Sequence, residues 1–302
     1  MELTPSNLPG HALWQAQRPP TRLFVRGKWG PKHAHELLRR LPEDGLACVG
    51  TRRALPSLLH QTRNWILALR DSRIVVISGL AKGVDTVAHT AALEAGLPTI
   101  AVVGAGLDVS YPPENHALGE RIVAAGGLIL SEFPLGTKPL AAHFIHRNRL
   151  IARLAKAVWV VQAAHRSGAL NTARWARDMD IDCYAVPCRP GDPALAGNQR
   201  LIDDNHARPF WGPHSLGATW FELSSTFEAK DSSAGTRAPA IQLLQKVYSA
   251  SRSRGGISVQ DLHDWAMQTG WPSEKFFSAL EVATETGSIL DKNGILTSVK
   301  LN

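Results

Sequence analysis

Between residues 46 and 186, short apolar runs alternate with amphipathic segments of helix length, and this alternation is the feature that most limits the folds open to the chain. Short apolar runs predict buried strands, and the longer segments predict helices that pack on the faces of a sheet. Such alternation is typical of an α/β fold with a doubly wound, mostly parallel sheet and right-handed crossovers. The predicted strands are Leu46–Gly50, Ile74–Ser78, Thr99–Val103, Leu128–Ser131, Val158–Gln162 and Ile181–Val186, and the predicted helices span about residues 55–70, 84–95, 114–125, 144–156 and 168–179.

The C-terminal part of the chain predicts a small second domain. A hairpin is indicated by Asn293-Gly294 between two short apolar pairs, and Ser258 is a good N-cap for a helix that runs through Met267. Two more helices are predicted over Ala240–Ala250 and from Pro272 to Thr286. Three helices and a hairpin in this length predict a winged helix-turn-helix.

The predicted organisation has four parts. Residues 1–45 form an N-terminal flap with an apolar segment at Leu23–Val25 and a helix over Pro31–Leu41, residues 46–212 form the sheet domain, residues 213–237 form a Pro-rich polar linker, and residues 238–302 form the winged-helix domain.

The charge of the chain points to anionic partners. Its 33 Lys and Arg residues exceed its 26 Asp and Glu residues, which gives a formal net charge of +7. Residues 238–302 hold six of each sign, so the excess lies in residues 1–237. Within that part, the stretch from Phe133 to Arg177 contains eight Lys and Arg residues and no Asp or Glu. Such a stretch is typical of a phosphate or nucleic-acid binder, and the alternative is a basic face that only keeps the protein soluble.

Several function classes are excluded or disfavoured by missing motifs. The sequence has no G-x-x-x-x-G-K-[ST] motif and no G-x-S-x-G motif, and Gly104-Ala105-Gly106 lacks the third glycine of a dinucleotide fingerprint. The three cysteines form no C-x-x-C pair and predict free thiols. No secretion signal and no apolar stretch long enough to span a membrane is present, which predicts a cytosolic protein. We therefore expect no catalytic residue, no cofactor and no metal.

One pair of residues leaves a metal or substrate site open. Asp85 and His89 lie four residues apart on a predicted helix, so both could face one ligand. Two ligands do not complete a metal site, and the alternative is an acidic residue near a helix start beside a packed histidine.

Glycine-containing loops follow several of the predicted strands, where an open α/β sheet binds its ligands. Phe144 stands just before Arg147-Asn148-Arg149 at the mouth of a predicted helix. An aromatic ring beside basic residues suits single-stranded nucleic acid, whose bases stack on rings while cations follow the phosphates. The alternative is that Phe144 packs into the core with Leu150, Ile151 and Leu154.

Five ordered motifs carry a family resemblance. They are Ser78-Gly79-Leu80-Ala81-Lys82-Gly83-Val84-Asp85 with His89, Tyr111-Pro112-Pro113-Glu114-Asn115, Ser131-Glu132-Phe133-Pro134 with Gly136-Thr137, Phe144 through Ala152, and Ser167-Gly168-Ala169 with Thr172-Ala173. Together they closely resemble the DNA-processing protein A family (DprA, also called Smf). The resemblance implies an extended Rossmann-like domain that binds single-stranded DNA without enzymatic chemistry. It also implies protection of incoming strands in natural transformation, a homodimer, and loading of a RecA-type recombinase onto the strand.

The resemblance also implies the residues of a DNA-binding pocket. They are Gly50, Thr51, Arg52, Lys138, Phe144, Arg147, Asn148, Arg149, Ser167, Gly168 and Thr172. We add the basic residues Lys82 and Arg166 as further expected phosphate contacts. Two positions depart from the family pattern, since Ile145 replaces a usual Pro and His146 replaces a common Arg. A helical domain that commonly precedes the sheet in the family is expected to be absent.

The last helix of the predicted winged-helix domain is acidic, with Lys275 against Glu274, Glu281 and Glu285. Negative charge opposes entry into a DNA groove, so we expect this domain to contact protein or to regulate. Two alternative functions stay open. One is a Rossmann nucleotide sensor or phosphoribohydrolase-like enzyme, although the family of such enzymes carries a glutamate in the loop that reads Ser167–Ala173 here. The other is a transcription factor with the sheet as its ligand sensor.

Overall fold

The computed structural model describes residues 1–8, 11–15, 19–188, 192–216, 246, 257–269, 271, 276, 280, 289–292 and 295–298. The chain divides into two compact units, Met1–Ser224 and Ser225–Asn302. The finer domain boundaries that the sequence suggests stay predictions.

The first unit is built on a nine-stranded, mostly parallel sheet with the order β1-β2-β6-β5-β4-β3-β7-β8-β9. Strands β3 to β9 are parallel to one another, whereas β2 is antiparallel to both β1 and β6. The strands are β1 Glu2–Leu3, β2 Leu23–Arg26, β3 Gly45–Val49, β4 Val75–Ser78, β5 Thr99–Val102, β6 Leu128–Ser131, β7 Ala157–Val160, β8 Asp182–Ala185 and β9 Arg208–Pro209. The doubly wound, mostly parallel sheet predicted from the sequence is confirmed.

Seven helices of this unit connect or flank the strands within its described residues. They are α1 Gly30–Arg39, α2 Pro56–Leu67, α3 Val84–Glu94, α4 His116–Ala124, α5 Ala141–Arg153, α6 Ala169–Asp178 and α7 Ala196–Asp203. Strands β3 to β8 and helices α2 to α6 correspond to the predicted elements, with ends shifted by a few residues. Local periodicity therefore located the central part of the fold.

The edges of the sheet differ from the prediction. The segment expected to form an N-terminal flap contributes β1 and β2, and β2 pairs with β6. Strand β1 has only two residues, too few for a pattern to be recognised, and β2 contains the apolar segment Leu23–Val25, which the sequence marked without showing its partner in the sheet. Helix α7, which has eight residues, lies beyond the last helix predicted for the sheet domain, in a Pro-containing segment that offers no clear helical pattern.

Both faces of the sheet are covered, which explains the uninterrupted apolar runs. In β3, Ala47 and Val49 join the core on one face, while Leu46 and Cys48 join the core on the other. Helices α1, α5 and α6 cover the first face, and α2 and α3 cover the second. All five residues of β3 are buried.

In the second unit the structure describes one helix and a small sheet. Strands β10 Ile257–Ser258, β11 Ile289–Lys292 and β12 Ile295–Ser298 are antiparallel in the order β10-β12-β11. Helix α8 spans Val259–Gln268, and the hydroxyl of Ser258 accepts a hydrogen bond from the Asp261 N–H at 3.0 Å, which confirms the predicted N-cap. The Asn293-Gly294 turn lies outside the described residues, as do nearly all residues of the other two predicted helices.

Two further expectations can be compared with the described residues. The three cysteines are free thiols, as predicted, and Cys48 and Cys183 are buried. No helix in the described ranges has the length and apolar character needed to cross a membrane.

The buried His89 makes the stability of the sheet domain depend on pH. The hydroxyl of Thr99 donates to the carbonyl of Val76 at 2.8 Å, so Nδ1 of His89 must donate to that hydroxyl at 2.7 Å. This leaves Nε2 buried without a hydrogen-bond partner, and burial lowers the pKa of His89 to about 3. The folded protein therefore keeps this ring neutral.

We predict that the buried His89 lowers the free energy of unfolding of the protein as the pH falls below neutral. Below pH 6.5 the unfolded chain takes up a proton at His89, whereas the folded chain does not. The free energy of unfolding therefore falls by about 1.4 kcal/mol per pH unit until the pH approaches the pKa of His89 in the folded protein. Urea denaturation from pH 7.5 to 4.5 tests this when wild type is compared with His89→Asn, which keeps a donor for Thr99. The free energy of unfolding of wild type should exceed that of the variant by less as the pH falls. A difference that stays constant would contradict the prediction, and His60→Asn at an exposed position controls for the loss of one histidine.

Candidate nucleic-acid interface

A cleft opens at the carboxyl ends of the parallel strands, where the strand order reverses. From β3 the order runs through β4, β5 and β6 in one direction and through β7, β8 and β9 in the other. Crevices for ligands form at such a switch point because the connecting loops diverge there. The cleft has a volume of about 570 Å³ and is walled by the loops after β3 and β7 and by one face of α5.

Most of the predicted site residues come together in this cleft. Lys82 lines a smaller adjoining cavity that shares Arg52, Phe144 and Arg147 with the cleft. Lys138 and Arg149 line neither cavity. The predicted residues that line the cleft are Gly50, Thr51, Arg52, Phe144, Arg147, Asn148, Arg166, Ser167, Gly168 and Thr172. Contact of any of these residues with DNA stays a prediction.

Helix α5 presents a cleft face and a core face. Phe144, Arg147, Asn148 and Ile151 line the cleft, and their spacing of three and four residues places them on one side of the helix. The surroundings of Phe144 do not match the alternative in which its ring packs into the core, because the ring is half-buried at the cleft wall. The guanidinium of Arg52 lies 5.6 Å from the centre of that ring.

Arg147 is buried beneath the cleft surface. Its side chain is 5% exposed, and its guanidinium donates to the carbonyls of Gly79, at 2.9 Å, and Val102. Burial lowers the pKa of Arg147 to about 10, so the group remains charged at neutral pH. These contacts join α5 to the ends of β4 and β5. They argue against the direct phosphate contact expected of Arg147, because the side chain is buried and its Nη1 already donates to two backbone carbonyls.

Asp85 lies at the base of the same cleft and balances this charge. Its carboxylate accepts hydrogen bonds from the backbone N–H groups of Gly79, at 3.1 Å, and Ala81, at 3.2 Å. Burial raises the pKa of Asp85, and the charge of Arg147 opposes that rise. Within the described ranges, no group of three or more His, Cys, Asp or Glu residues could hold a metal ion. Asp85 is held by these backbone N–H groups and His89 by the hydroxyl of Thr99, so the contacts of the pair fit the packing alternative.

Arg149 is also held inside the protein. It is 4% exposed and forms an ion pair with Glu132, which stands one residue before the acid-free stretch. His146 lies 3.5 Å from the same carboxylate. At the C-terminal end of the acid-free stretch, Arg174 and Arg177 form ion pairs with Asp178, the first residue after the stretch. The two acids that border the stretch in sequence therefore balance two of its eight positive charges and engage three of its arginines.

A smaller set of cations stays available in and near the cleft. Arg52, Arg53, Lys138 and Arg166 are exposed, and no carboxylate in the described part of the chain forms an ion pair with them. Three of them, Arg52, Arg53 and Arg166, line the cleft itself. Unpaired, exposed guanidinium groups suit phosphate because they offer several donors in a planar fork. Arg53 was not among the predicted site residues, although it directly follows the Gly50-Thr51-Arg52 motif.

Hydrogen bonds hold the two walls of the cleft together. The amide of Asn148 on α5 donates to the carbonyl of Gly168 at 3.3 Å and to the side chain of Asn171 at 3.4 Å. The N–H of Thr51 donates to the carbonyl of Gln162 at 2.8 Å, which joins the loop after β3 to the loop after β7. Helix α6 begins at this wall, and its N-terminal dipole favours anions.

Two buried asparagines shape the loops, and the sequence did not identify their roles. Asn198 on α7 donates to the carbonyls of Val160, Val161 and Val186 and accepts from the N–H of Ala163. Asn115 donates to the carbonyls of Leu80 and Ala81. Asn115 belongs to a recognised motif and Asn198 to none, so only Asn115 offered a signal.

The buried guanidinium of Arg147 requires glycine at residue 79. A Cβ atom on Gly79 would lie 2.5 Å from Nη2 of Arg147, closer than van der Waals contact allows. We predict that Gly79→Ala lowers the free energy of unfolding by about 1–3 kcal/mol, because the guanidinium must leave its carbonyl partners. Gly168→Ala is the matched control, since a Cβ there meets nothing within 4 Å. Chemical denaturation of both variants measures the difference, and equal stability would contradict the prediction.

Comparison with known proteins places this fold and cleft in a family. The model of the DNA recombination-mediator protein A family matches residues 5–218. Protein Smf of Synechocystis sp. is 42% identical over 190 residues, which are 63% of this chain and 46% of that protein. The chain spans about half the length of the curated relatives it matches.

Two solved structures share the fold. The X-ray structure of DNA processing protein A from Streptococcus pneumoniae has a TM-score of 0.63 and 34% identity and is covered over 72% of each chain. DNA processing protein A from Helicobacter pylori, described for its unique single-stranded DNA binding mode, has a TM-score of 0.62 and 29% identity, over 74% of this chain and 96% of that one. The matched family model covers most of the chain, including every loop that walls the cleft, so this chain belongs to the DNA recombination-mediator protein A family.

Proposed function

We propose that this chain binds single-stranded DNA without marked sequence preference in the cleft at the switch point of its sheet. The observation that carries the proposal is the grouping of Arg52, Arg53 and Arg166, exposed and unpaired among the described residues, around the half-buried ring of Phe144. Guanidinium groups neutralise phosphates, and an aromatic ring stacks on any base, so this combination suits a single strand of any sequence.

The roles of the predicted site residues divide by their burial. Arg52, Arg166 and Lys138 are exposed and take the phosphate contacts in this proposal. Arg147 and Arg149 act as positioning residues, because both side chains are buried and already have intramolecular partners. Ser167, Gly168 and Thr172 surround the start of α6, where the helix dipole supports a phosphate.

The proposal extends to the biological role. Membership of the family supports DNA processing in natural transformation and recombination, in which the strand is protected and a RecA-type recombinase is loaded onto it. We further propose a homodimer, with the winged-helix domain serving protein contacts or regulation. Mass photometry with and without an oligonucleotide and a RecA-type protein tests both assemblies, and a monomer under all conditions would contradict the dimer.

We propose binding without cleavage of any bond. Asp85 is the carboxylate found in the cleft lining among the described residues, and its oxygen is already engaged by two backbone N–H groups. A phosphoribohydrolase needs a carboxylate free for glycosidic chemistry. Release of free adenine from AMP by the purified protein would contradict this part of the proposal.

Removal of the exposed cleft cations should weaken binding and its dependence on salt. We predict that Arg52→Gln with Arg166→Gln lowers the affinity for fluorescein-labelled oligo-dT at least tenfold at low salt. The slope of log K against log salt should become less steep by roughly 0.7 for each lost phosphate contact. Fluorescence anisotropy across a salt series measures both quantities.

A matched control removes the same charge elsewhere. Arg174→Gln with Arg177→Gln also removes two positive charges, but both arginines pair with Asp178 on α6 and neither lines the cleft. This variant should bind oligo-dT nearly as well as wild type. Equal losses in the two double variants would mean that net charge, and not the cleft, determines binding.

A further inference from the structure

An exposed aromatic ring continues the cleft beyond Phe144. Tyr111, in the loop between β5 and α4, is 38% exposed, and its ring centre lies 5.3 Å from that of Phe144 with the planes 32° apart. A small cavity beside it is lined by Tyr111, Lys82, Arg52 and Phe144. The two rings and the two cations therefore form a continuous track away from the main cleft.

Lys82, the second cation of this track, already has an ionic partner. Nζ of Lys82 lies 2.5 Å from Oε1 of Glu114, and both side chains are more than half exposed. The hydrogen bond from Lys82 lowers the pKa of Glu114, so the carboxylate is charged at neutral pH. The carboxylate of Glu114 therefore competes with phosphate for the ammonium group of Lys82. An exposed ion pair of this kind contributes little to stability and can be displaced.

We infer that Tyr111 and Lys82 form a second nucleotide subsite for single-stranded DNA, with a base on the Tyr111 ring and a phosphate on Lys82, and that Glu114 restricts entry to it. This inference rests on the proposed function, because it extends the strand that the main cleft holds. It assigns Tyr111 a stacking role and makes Glu114 a competitor of the DNA backbone.

The geometry supports a strand that follows this direction. Arg52 takes part in both cavities, so a phosphate held there is shared between them. Tyr111 is the more exposed of the two neighbouring rings, and it can accept a base face without leaving its contact with Phe144. Lys82 follows β4 and Glu114 follows β5, so both lie at the carboxyl edge of the sheet with the cleft.

A double-mutant cycle tests the competition. Binding of fluorescein-labelled dT20 is measured by anisotropy across a salt series for wild type, Glu114→Gln, Lys82→Gln and the combined variant. We expect Glu114→Gln to tighten binding several-fold and to steepen the salt dependence by roughly 0.7. This gain should vanish when Lys82 is also replaced, because the two residues act through one contact.

The chain offers a matched control for the change in charge. Glu94 pairs with Arg63 at 2.7 Å in another exposed ion pair, at the end of α3 that lies away from the cleft. Glu94→Gln changes net charge by the same amount and should tighten binding far less than Glu114→Gln. An equal gain in these two variants, or a gain that persists with Lys82→Gln, would overturn the inference.

Photocrosslinking tests the stacking role directly. Oligo-dT with 5-iododeoxyuridine at successive positions is irradiated in the complex, and the adducts are mapped by mass spectrometry. An adduct at Tyr111 is expected, and Trp29, which is 55% exposed and packs on Gly126 at the amino end of β6, should form none. Adducts at Phe144 without Tyr111 would overturn the subsite and leave the main cleft intact. Failure of wild type to bind dT20 at all would instead contradict the proposed function.

Discussion

The guanidinium of Arg147 is the interaction on which the cleft depends. It projects from α5 and donates to carbonyls at the carboxyl ends of β4 and β5, under the loop that starts at Gly79. Burying a charge is costly unless it is paired and hydrogen-bonded, and here Asp85 supplies the opposite charge from the first turn of α3. Loss of one partner from such a buried arrangement typically costs about 3–5 kcal/mol. Arg147 thus fixes the helix that forms one wall of the cleft against the strands that form its floor.

Ion pairs with acidic side chains determine which positive charges remain available to a ligand. The acid-free stretch from Phe133 to Arg177 is bordered by Glu132 and Asp178, and these two acids pair with three of its arginines. Arg166 of this stretch, together with Arg52 and Arg53 from the loop after β3, has no acidic partner in the described ranges and lines the cleft at the switch point of the sheet. The folded chain therefore gathers cations from two separate parts of the sequence in one narrow cleft. Such focusing raises the local potential more than net charge alone, since low-dielectric walls concentrate the field.

Sequence patterns predicted residues that the structure brings to the cleft, and contact of any of them with DNA stays a prediction. The spacing of Phe144, Arg147 and Asn148 placed them on one helical face, and the glycine loops after β3 and β7 marked the crevice. Arg147 and Arg149 nevertheless lie inside the wall, because their partners come from β4, β5 and the residue after β6. Those contacts span up to 68 residues of sequence, which no local pattern encodes. Strands β1 and β2 were missed for a related reason, since β1 pairs with β2 and β2 pairs with β6, a strand about 100 residues away in sequence.

The sequence by itself determined the central strands β3 to β8, the helices between them and the doubly wound sheet, and it predicted the loops that line the cleft. These features follow from local periodicity and from glycine and charge patterns along the chain. Only the tertiary structure decided which charged side chains are free and which are structural. That decision depends on desolvation and on partners distant in sequence, and both arise only when the chain packs.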